Sequence, residues 1–497
     1  MDDSVTEAPN MTPRTLDSLG LTDLRRGSGS PQITGLAVDS RDVRPGVLFA
    51  ALPGVNAHGA RFASDALAAG AVAILTDADG YAHARPDDGA VWLVAQDARA
   101  ALSGVAARWY GAQPETMVAV TGTNGKTSVA SFTRQLWSAM GLCAVNFGTT
   151  GVEGAVSAPL SHTTPEPVTL HRLLADLAGR GVTHGAMEAS SHGLAQRRLD
   201  GVRLRAAAFT HLSRDHLDYH ATVADYEAAK GLLFDRVLPE GATAVINLDT
   251  DAGERMIARA TGAGRKVLTV GRTSTADLRL CGTTFEASGQ RVTFTYAGAE
   301  HTASLRLIGS FQAENALLAA GLALACGGAA PDVFAALEVL EPVAGRMQLA
   351  AHATSGGAIY VDYSHTPDSI ATALRALRPH VGGKLICILG AGGDRDPGKR
   401  SLMGEAATQT ADVVIVTDDN PRSEHPAVIR AAVMAGAPGA REIGDRAQAI
   451  AAGVAMLGPN DTLLIAGKGH ETGQIVGDET LPFNDVEVAR RSAVTAE

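Results

Sequence analysis

Eight residues, Thr121-Gly122-Thr123-Asn124-Gly125-Lys126-Thr127-Ser128, combine glycines, a lysine and hydroxyls in the manner of a phosphate cradle. They follow an apolar run, Met117 to Val120, that reads as a strand, and they precede Val129 to Met140, which reads as a helix. In such a turn the backbone N–H groups and the helix N-terminus face an anion, Lys126 adds a point charge, and a hydroxyl can reach Mg²⁺. The strict pattern puts glycine where this chain has Val120, so an ordinary strand–helix turn is the competing reading.

A second chemical oddity lies in the segment Val223 to Val237, which reads as one helix. Val223, Tyr226, Leu233 and Val237 form an apolar stripe, and Lys230 falls in its middle. An exposed lysine belongs on the opposite face. Turned inward, Lys230 must pair, lose its charge or be modified, because an isolated buried ammonium is very costly. The alternative is a stem lying along the stripe with its head at the rim. Periodicity does not choose between them.

Glu188, His216 and Thr127 are candidates for magnesium chemistry, a carboxylate and a hydroxyl being suited to a hard cation. His211, His216 and His220 could suggest zinc, but no H-E-x-x-H motif or cysteine partner accompanies them. Arg395 and Arg422 stand in loops after apolar runs. Two planar guanidinium forks suit a ligand carrying carboxylates. Pairing with Asp394, Asp396 or Asp419 at the surface is the competing reading, and the less favoured of the two.

These residues need elements to hold them. At 497 residues the chain is too long for one core and suggests about three domains. Its 45% hydrophobic and 19% charged content is that of a globular protein. A net charge of −11 argues against nucleic acid as a general partner. The four cysteines are dispersed, as isolated core thiols in a reducing compartment would be. The acidic first ten residues lack the apolar core of a signal peptide, and the longest apolar stretch, Ala316 to Ala330, is too short to span a bilayer. A cytoplasmic protein is expected.

Short apolar runs at Leu36–Val38, Val47–Leu52, Ala71–Leu75 and Val91–Val94, with a helix at Ala60–Ala69, describe a small α/β domain. The pattern breaks at Gly111-Ala112-Gln113-Pro114. Strands at Val182–Met187, Arg205–Phe209 and Ala242–Ile246 then end in charged loops, and a β-rich stretch, Val267 to Leu307, leads to a helix at Gln312–Ala325. Later strands, Ile359–Asp362, Leu385–Leu389, Val413–Thr417 and Thr462–Ala466, also end in polar loops. Ligands of open parallel sheets collect outside the carboxyl ends of the strands, so the polar loops mark the site. The glycines at Gly390-Ala391-Gly392-Gly393 are not the full dinucleotide fingerprint.

With these residues assembled, the chain resembles the Mur ligase family from end to end. The carriers are the cradle itself, Asp39-Ser-Arg41, Thr163-Thr-Pro-Glu166, Met187-Glu-Ala-Ser-Ser-His-Gly-Leu194, Leu212-Ser-Arg-Asp-His-Leu-Asp-Tyr-His220 and Tyr226-Glu-Ala-Ala-Lys230. Further on stand Gly345-Arg-Met347, Val361-Asp-Tyr-Ser-His-Thr-Pro-Asp368, Gly392-Gly-Asp-Arg-Asp396, Asp419-Asn-Pro-Arg422 and Gly467-Lys-Gly-His-Glu471. The resemblance implies three α/β domains. Residues 1–112 would bind the UDP end of the substrate, and 113–343 would be a P-loop-type ATPase domain with a mainly parallel sheet. Residues 344–497 would be a Rossmann-like domain that binds an amino acid.

It also implies roles, position by position. Val38, Ser40 and Val55-Asn56-Ala57 match contacts to UDP. Thr163, Thr164, Ser190, Gln196 and Arg198 match contacts to a muramoyl-dipeptide. Gly122, Thr123, Asn124, Gly125, Lys126, Thr127 and Ser128 match the ATP loop, and Asn315, Arg346 and Asp362 match further nucleotide contacts. Lys230 matches a carbamylated lysine that ligates magnesium together with Thr127, Glu188 and His216. Arg395, Asp419, Asn420, Pro421, Arg422, Gly467 and Glu471 match a diaminopimelate pocket. Gln312, Gln348 and Ser364 stand where the family often has asparagine, glutamate and alanine. The implied reaction is ATP-dependent ligation of meso-diaminopimelate to the D-glutamate side chain of UDP-N-acetylmuramoyl-L-alanyl-D-glutamate, by a monomer, with Lys126, Glu188, His216 and Lys230 as the catalytic group. Lysine-adding relatives lack the arginine that Arg422 matches. The rival readings are a lysine-adding or folylpolyglutamate-type ligase, and an ATP-binding switch without ligation.

Overall fold

The computed structural model describes residues 12–26, 29–54, 57–84, 90–216, 219–286 and 289–495. The chain divides into two compact units. The first contains the chain up to Glu115 together with Thr164–Thr183 and Ser191–Arg203; the second contains Thr116–Thr163, His184–Ser190 and Leu204 onward.

In the first unit four parallel strands, Gly35–Ala37, Val47–Ala50, Ala73–Thr76 and Val91–Val94, follow one another across a sheet. The short strand Arg25–Arg26 closes its far edge in antiparallel pairing. The strands are apolar runs because both faces are covered. Leu48, Leu75 and Leu93 pack with Leu102, Val105 and Trp109 of the helix Ala98–Tyr110, while Phe49, Ile74 and Trp92 face Ala60, Ala63 and Ala66. The segment expected as one helix, Ala60–Ala69, is a 3₁₀ turn at Gly59–Phe62 followed by a helix at Ala63–Ala68. The His58 ring accepts the Ala60 N–H and so starts the turn.

The second unit holds a ten-stranded sheet and a six-stranded sheet. At the centre of the larger sheet, Thr116–Thr121 lies between His184–Glu188 and Leu204–Phe209, parallel to both. Ala144–Gly148 and Thr243–Asn247 extend it on either side. Beyond them an antiparallel meander, Leu278–Glu286, Gly289–Tyr296 and Ala299–Leu305, forms one edge. The helices Lys126–Ala139 and Ser310–Ala325 cover one face, burying Val129, Phe132, Leu136, Leu317 and Leu322 in a single core with Val118 and Val120.

The smaller sheet runs Gln348–His352, Ala358–Asp362, Thr462–Ala466, Leu385–Leu389, Val413–Val416 and Arg441–Glu442, parallel except for its first strand. Helices bury Ile370, Leu374 and Met403 on one face and Ile450, Val454 and Ala489 on the other. Among the described residues no helix is long and apolar enough to cross a membrane.

Candidate active site

Strand register explains why the candidate residues meet. Val120 pairs with Glu188 and Thr121 with Phe209, so three neighbouring strands end level. The cradle, Glu188 and the loop from Thr210 to His216 leave the sheet at the same height. Val120 is therefore an ordinary buried strand residue, and the sharp turn falls two places later. There Gly122 has φ +146°, and a Cβ on it would lie 1.8 Å from Thr210 Oγ1. Gly125, at φ +85°, starts the helix directly at Lys126, three residues earlier than the expected Val129.

The loop is braced from behind. Thr123 Oγ1 donates to Ser213 O (3.1 Å) and accepts from Ser213 N (2.9 Å) and the Tyr226 hydroxyl (3.3 Å). Thr210 Oγ1 donates to Asn124 O at 2.6 Å. Asn315, buried on its helix, donates to Gln312 Oε1 at 3.0 Å, and its Oδ1 lies beside Gly125, where a Cβ would come within 2.7 Å.

Two lysine amines converge on one oxygen. Lys126 Nζ donates to Gly122 O (3.0 Å) and Thr123 O (2.8 Å), and Lys230 Nζ donates to the same Gly122 O at 2.7 Å. Lys230 is 1% exposed, so it points inward and does not snorkel. Its amine sits 4.2 Å above the Tyr226 ring. Burial, and then the charge of Lys126, push the Lys230 amine well below the ordinary lysine range, only partly opposed by Asp215. Burial also lowers Lys126, with Glu188 and Asp215 opposing.

The expected helix around Lys230 needs two corrections. It is α-helical only over Val223–Leu232, and Leu233–Val237 is a π turn. The wider turn carries Phe234 into the core beside Leu233 and leaves Val237 half-buried. Val223, directly after the Thr222 cap, is 42% exposed and lies outside the buried stripe.

Glu188, buried at 2%, accepts from Thr127 Oγ1 (3.0 Å) and Thr149 N (2.7 Å) on Oε1, and from Thr149 Oγ1 (3.2 Å) on Oε2. Thr149 Oγ1 also meets Thr163 Oγ1 at 3.0 Å. His216 takes a left-handed backbone conformation, φ +54°, with its ring against Tyr226 and 3.5 Å from the Asp215 carboxylate. Burial pushes the Asp215 carboxyl up, but His216, His365 and Lys399 together hold it below its usual range. Ser128 is buried in the first turn of the cradle helix. Among the described residues no three His, Cys, Asp or Glu side chains form a ready-made metal cluster, so His211, His216 and His220 are not drawn together as a zinc site.

From the smaller sheet, Arg346 Nη2 reaches Thr127 Oγ1 at 3.2 Å, its guanidinium stacked 4.4 Å over Tyr363. Asp362 turns its carboxylate inward, accepting from Met347 N (2.7 Å), Ser364 N (2.9 Å) and the Ser364 hydroxyl. The loops after Leu389 and Val416 interlock through Gly393 N donating to Asn420 O at 2.9 Å. Arg422, at φ +52°, donates from Nη1 to Gly393 O at 2.7 Å, and Arg395 donates to the Asp394 carbonyl at 3.1 Å. Among the described residues neither guanidinium forms a close ion pair with Asp394, Asp396 or Asp419, although after the hydrogen bonds from Ser423 the charges of Arg422 and Arg395 help hold the Asp394 carboxyl below its usual range. Pro421 is buried, and Gly467 at φ +120° admits Asp419 Oδ2, which would lie 2.9 Å from a Cβ there.

In the first unit Val38, Gln196 and Arg198 line one hollow with Leu52, Arg99 and Glu166. Arg198 donates to Gln196 Oε1 (2.8 Å) and to Thr164 O (2.6 Å). Ser40 opens the 3₁₀ turn Ser40–Asp42, whose N-cap is Asp39. Ala57 is half-buried, and Val55 and Asn56 lie outside the described residues. Ser190 is half-buried after the Glu188 strand.

Comparison with known proteins bears on the family and the fold. Family models match three stretches: "Mur ligase family, catalytic domain" over residues 32–110, "Mur ligase middle domain" over 120–323, and "Mur ligase, glutamate ligase domain" over 345–469. A UDP-N-acetylmuramoyl-L-alanyl-D-glutamate–2,6-diaminopimelate ligase of Brucella melitensis is 52% identical, the match covering 95% of this chain and 96% of the relative. This chain belongs to the Mur ligase family. A Mur ligase of the same description from Caulobacter vibrioides is 49% identical over 94% of this chain and 97% of its own. A solved structure, also described as a UDP-N-acetylmuramoyl-L-alanyl-D-glutamate–2,6-diaminopimelate ligase, matches with TM-score 0.67 at 34% identity, covering 93% of this chain and 95% of that one. The MurF ligase of Thermotoga maritima in complex with ADP shares the fold, with TM-score 0.61 at 19% identity over 88% of this chain and 94% of that chain. The expected α/β architecture of a Mur ligase is therefore the one observed.

Several residues at the Mur ligase site escaped the sequence reading. Thr149 and Gly148 hold and admit the Glu188 carboxylate, and Tyr226 joins Thr123, Lys230 and His216. Asp215 lies within Leu212–His220 and Lys468 within Gly467–Glu471, where the resemblance implies no role for either. Their signal was a charged residue beside a strand end or between glycines.

Proposed function

We propose that this Mur ligase joins meso-diaminopimelate to the side-chain carboxylate of the D-glutamate in UDP-N-acetylmuramoyl-L-alanyl-D-glutamate, consuming ATP. The observation that carries the reading is the level ending of three neighbouring strands, where Lys126 and Lys230 share Gly122 O, Thr127 Oγ1 meets Glu188 Oε1, and Arg346 reaches Thr127 Oγ1. ATP is the co-substrate of the Mur ligase family, and the cradle Gly122–Ser128 supplies its phosphate site. The γ-phosphoryl group moves from ADP's leaving oxygen to the glutamyl carboxylate, forming an acyl phosphate. The diaminopimelate amine then attacks the acyl carbon, an amide forms, and phosphate leaves with the amine's proton lost to solvent or base. Lys126 would exchange its carbonyl partners for phosphate oxygens and spread the charge of the transfer, which is chiefly a matter of positioning.

Magnesium is the metal this family implies. Thr127 Oγ1 and Glu188 Oε1, buried and 3.0 Å apart, are hard oxygen donors beside the cradle and fit it. His216 would join them, and Lys230 would do so once its amine carries CO₂. The shared Gly122 oxygen favours that chemistry. Burial, and then the charge of Lys126, lower the Lys230 amine well below the ordinary lysine range, which favours the neutral form that attacks CO₂; the new N–C bond replaces an N–H, whose proton is released. A bound magnesium ion would offset the negative charge of the phosphates there. Asn315, Arg346 and Asp362 would border the nucleotide.

Arg395 and Arg422 would bind the diaminopimelate carboxylates, with Asp419, Asn420, Pro421, Gly467 and Glu471 completing the pocket. Val38, Ser40, Val55, Asn56 and Ala57 would hold the UDP end, and Thr163, Thr164, Ser190, Gln196 and Arg198 the muramoyl-dipeptide. The corresponding functional division is 1–112, 113–343 and 344–497, working as a monomer in the cytoplasm. The test is phosphate release from ATP and UDP-muramoyl-dipeptide with a panel of amino acids. Release with meso-diaminopimelate and little with lysine supports the reading. Release with lysine alone, or none with any amino acid, refutes it.

A further inference from the structure

The amino-acid pocket proposed above contains a cation to which no role falls in that reading. Lys468 follows the strand Thr462–Ala466 and is 0% exposed. Its Nζ donates to Asn420 Oδ1 at 2.9 Å and to Glu471 Oε2 at 3.0 Å, and lies 3.7 Å from Asp419 Oδ1. Asn420 closes the ring by donating Nδ2 to the same Glu471 Oε2 at 2.8 Å. Its Oδ1 also accepts Ile475 N at 3.0 Å, which ties the ring to the hairpin of Gly473–Val476 and Glu479–Pro482.

A wholly buried ammonium is tolerated only with good partners, and removing one partner leaves an uncompensated charge. Among the described residues the side chains that hold the Lys468 ammonium, Asn420, Glu471 and Asp419, all belong to the proposed pocket. Glu471 itself is half-buried, with one oxygen held by this ring and the other, Oε1, outside it. Asp419 and Glu471 are like charges on two separate loops; the ammonium between them, together with the charge of the buried Arg446, offsets their repulsion.

We propose that Lys468 is a positioning residue for the amino-acid substrate, acting through Glu471. It fixes Oε2 so that Oε1 is aimed at the substrate ammonium, with Asn420 as the link. Resting as it does on the ligase reading, the inference predicts a selective defect. Lys468→Met keeps the stem and removes the ammonium. The KM for meso-diaminopimelate should rise at least tenfold, while the KM values for ATP and UDP-muramoyl-dipeptide stay within twofold and kcat at saturating amino acid within about threefold. In a Glu471→Gln background the same substitution should raise that KM at least fivefold less. This double variant also removes both charges of the pair together, and so remains informative if the single variant folds poorly. A KM for diaminopimelate that does not move, a loss confined to kcat, or equal effects in both backgrounds would overturn the proposal. Absence of diaminopimelate-dependent phosphate release from the unsubstituted enzyme would overturn the ligase reading along with it.

Discussion

Gly148 offers a way to displace Glu188 without altering Glu188. Gly148 ends the strand Ala144–Gly148, and an added Cβ would lie 2.2 Å from Glu188 Oε1, 2.5 Å from its Cγ and 2.6 Å from its Cδ. Ordinary contact begins at 3.4 Å, so the carboxylate must retreat by more than an ångström. That retreat breaks the bonds from Thr127 Oγ1 and Thr149 N to Oε1, now 3.0 and 2.7 Å. Hydrogen bonds to a charged group contribute about 1.5–3 kcal/mol each. If one such bond is lost at the transition state, about 2 kcal/mol, kcat should fall about 30-fold; if both are lost, about 10³-fold. Gly148 is not among the residues at positive φ, so alanine is compatible with its backbone. The assay is ADP release under saturating substrates, with thermal melting in parallel. Gly179→Ala, where nothing lies within 4 Å of the new methyl, is the control and should leave kcat unchanged. A Gly148→Ala enzyme with kcat within twofold of normal and an unchanged melt would refute the role given to the position of Glu188.

Other substitutions test the remaining parts. Lys230→Ala should lose at least about 10² in kcat, the order expected when a metal-holding group is removed, and should regain part of it with added acetate or formate; a fully active variant would remove the carbamate from the mechanism. Arg422→Ala should lose about 10–100-fold in preference for diaminopimelate over lysine, the equivalent of one charge-assisted pair, as read by competition between the two amino acids; unchanged preference would reassign that arginine. His171 is 2% exposed, and burial holds its imidazole down to about 4, despite a bond to Asp200 O and with Arg203 adding to the shift. Because the folded value lies below the ordinary 6.5, the unfolded chain binds the proton first, and stability falls as pH drops from 6.5 to 4. That titration corresponds to about 3 kcal/mol, so urea melts of His171→Leu should lose less stability than the parent between pH 7 and 4.5; equal losses would contradict it.

The contrast between the buried lysines shows where a sequence is legible and where it is not. Lys230 could be recognised because Tyr226 and Leu233 belong to its own helix, and a lysine out of phase with its neighbours stands out. What the helix could not disclose is that Lys126 shares the same carbonyl, since that depends on Gly122 turning back across 108 residues of chain. Lys468 lies in a loop with no period to violate, and its partners come from Asn420, 48 positions away, as well as from Glu471. Likewise the strand runs and their polar ends were visible as local apolar pattern, whereas their lateral order was not. The helix Pro167–Gly179, which the sequence reading did not single out, buries Leu170, Leu174 and Leu177, and its place in the first unit is set by contacts distant in sequence. Fold class follows from short-range periodicity, and so is legible; charge compensation is settled between loops far apart in sequence. The two lysines reach opposite solutions for that reason. Lys468 meets carboxylates at 3.0 and 3.7 Å and can hold loops together as an ion. Lys230 meets a carbonyl already engaged by another lysine, and burial together with the Lys126 charge pushes its amine well below the ordinary lysine range.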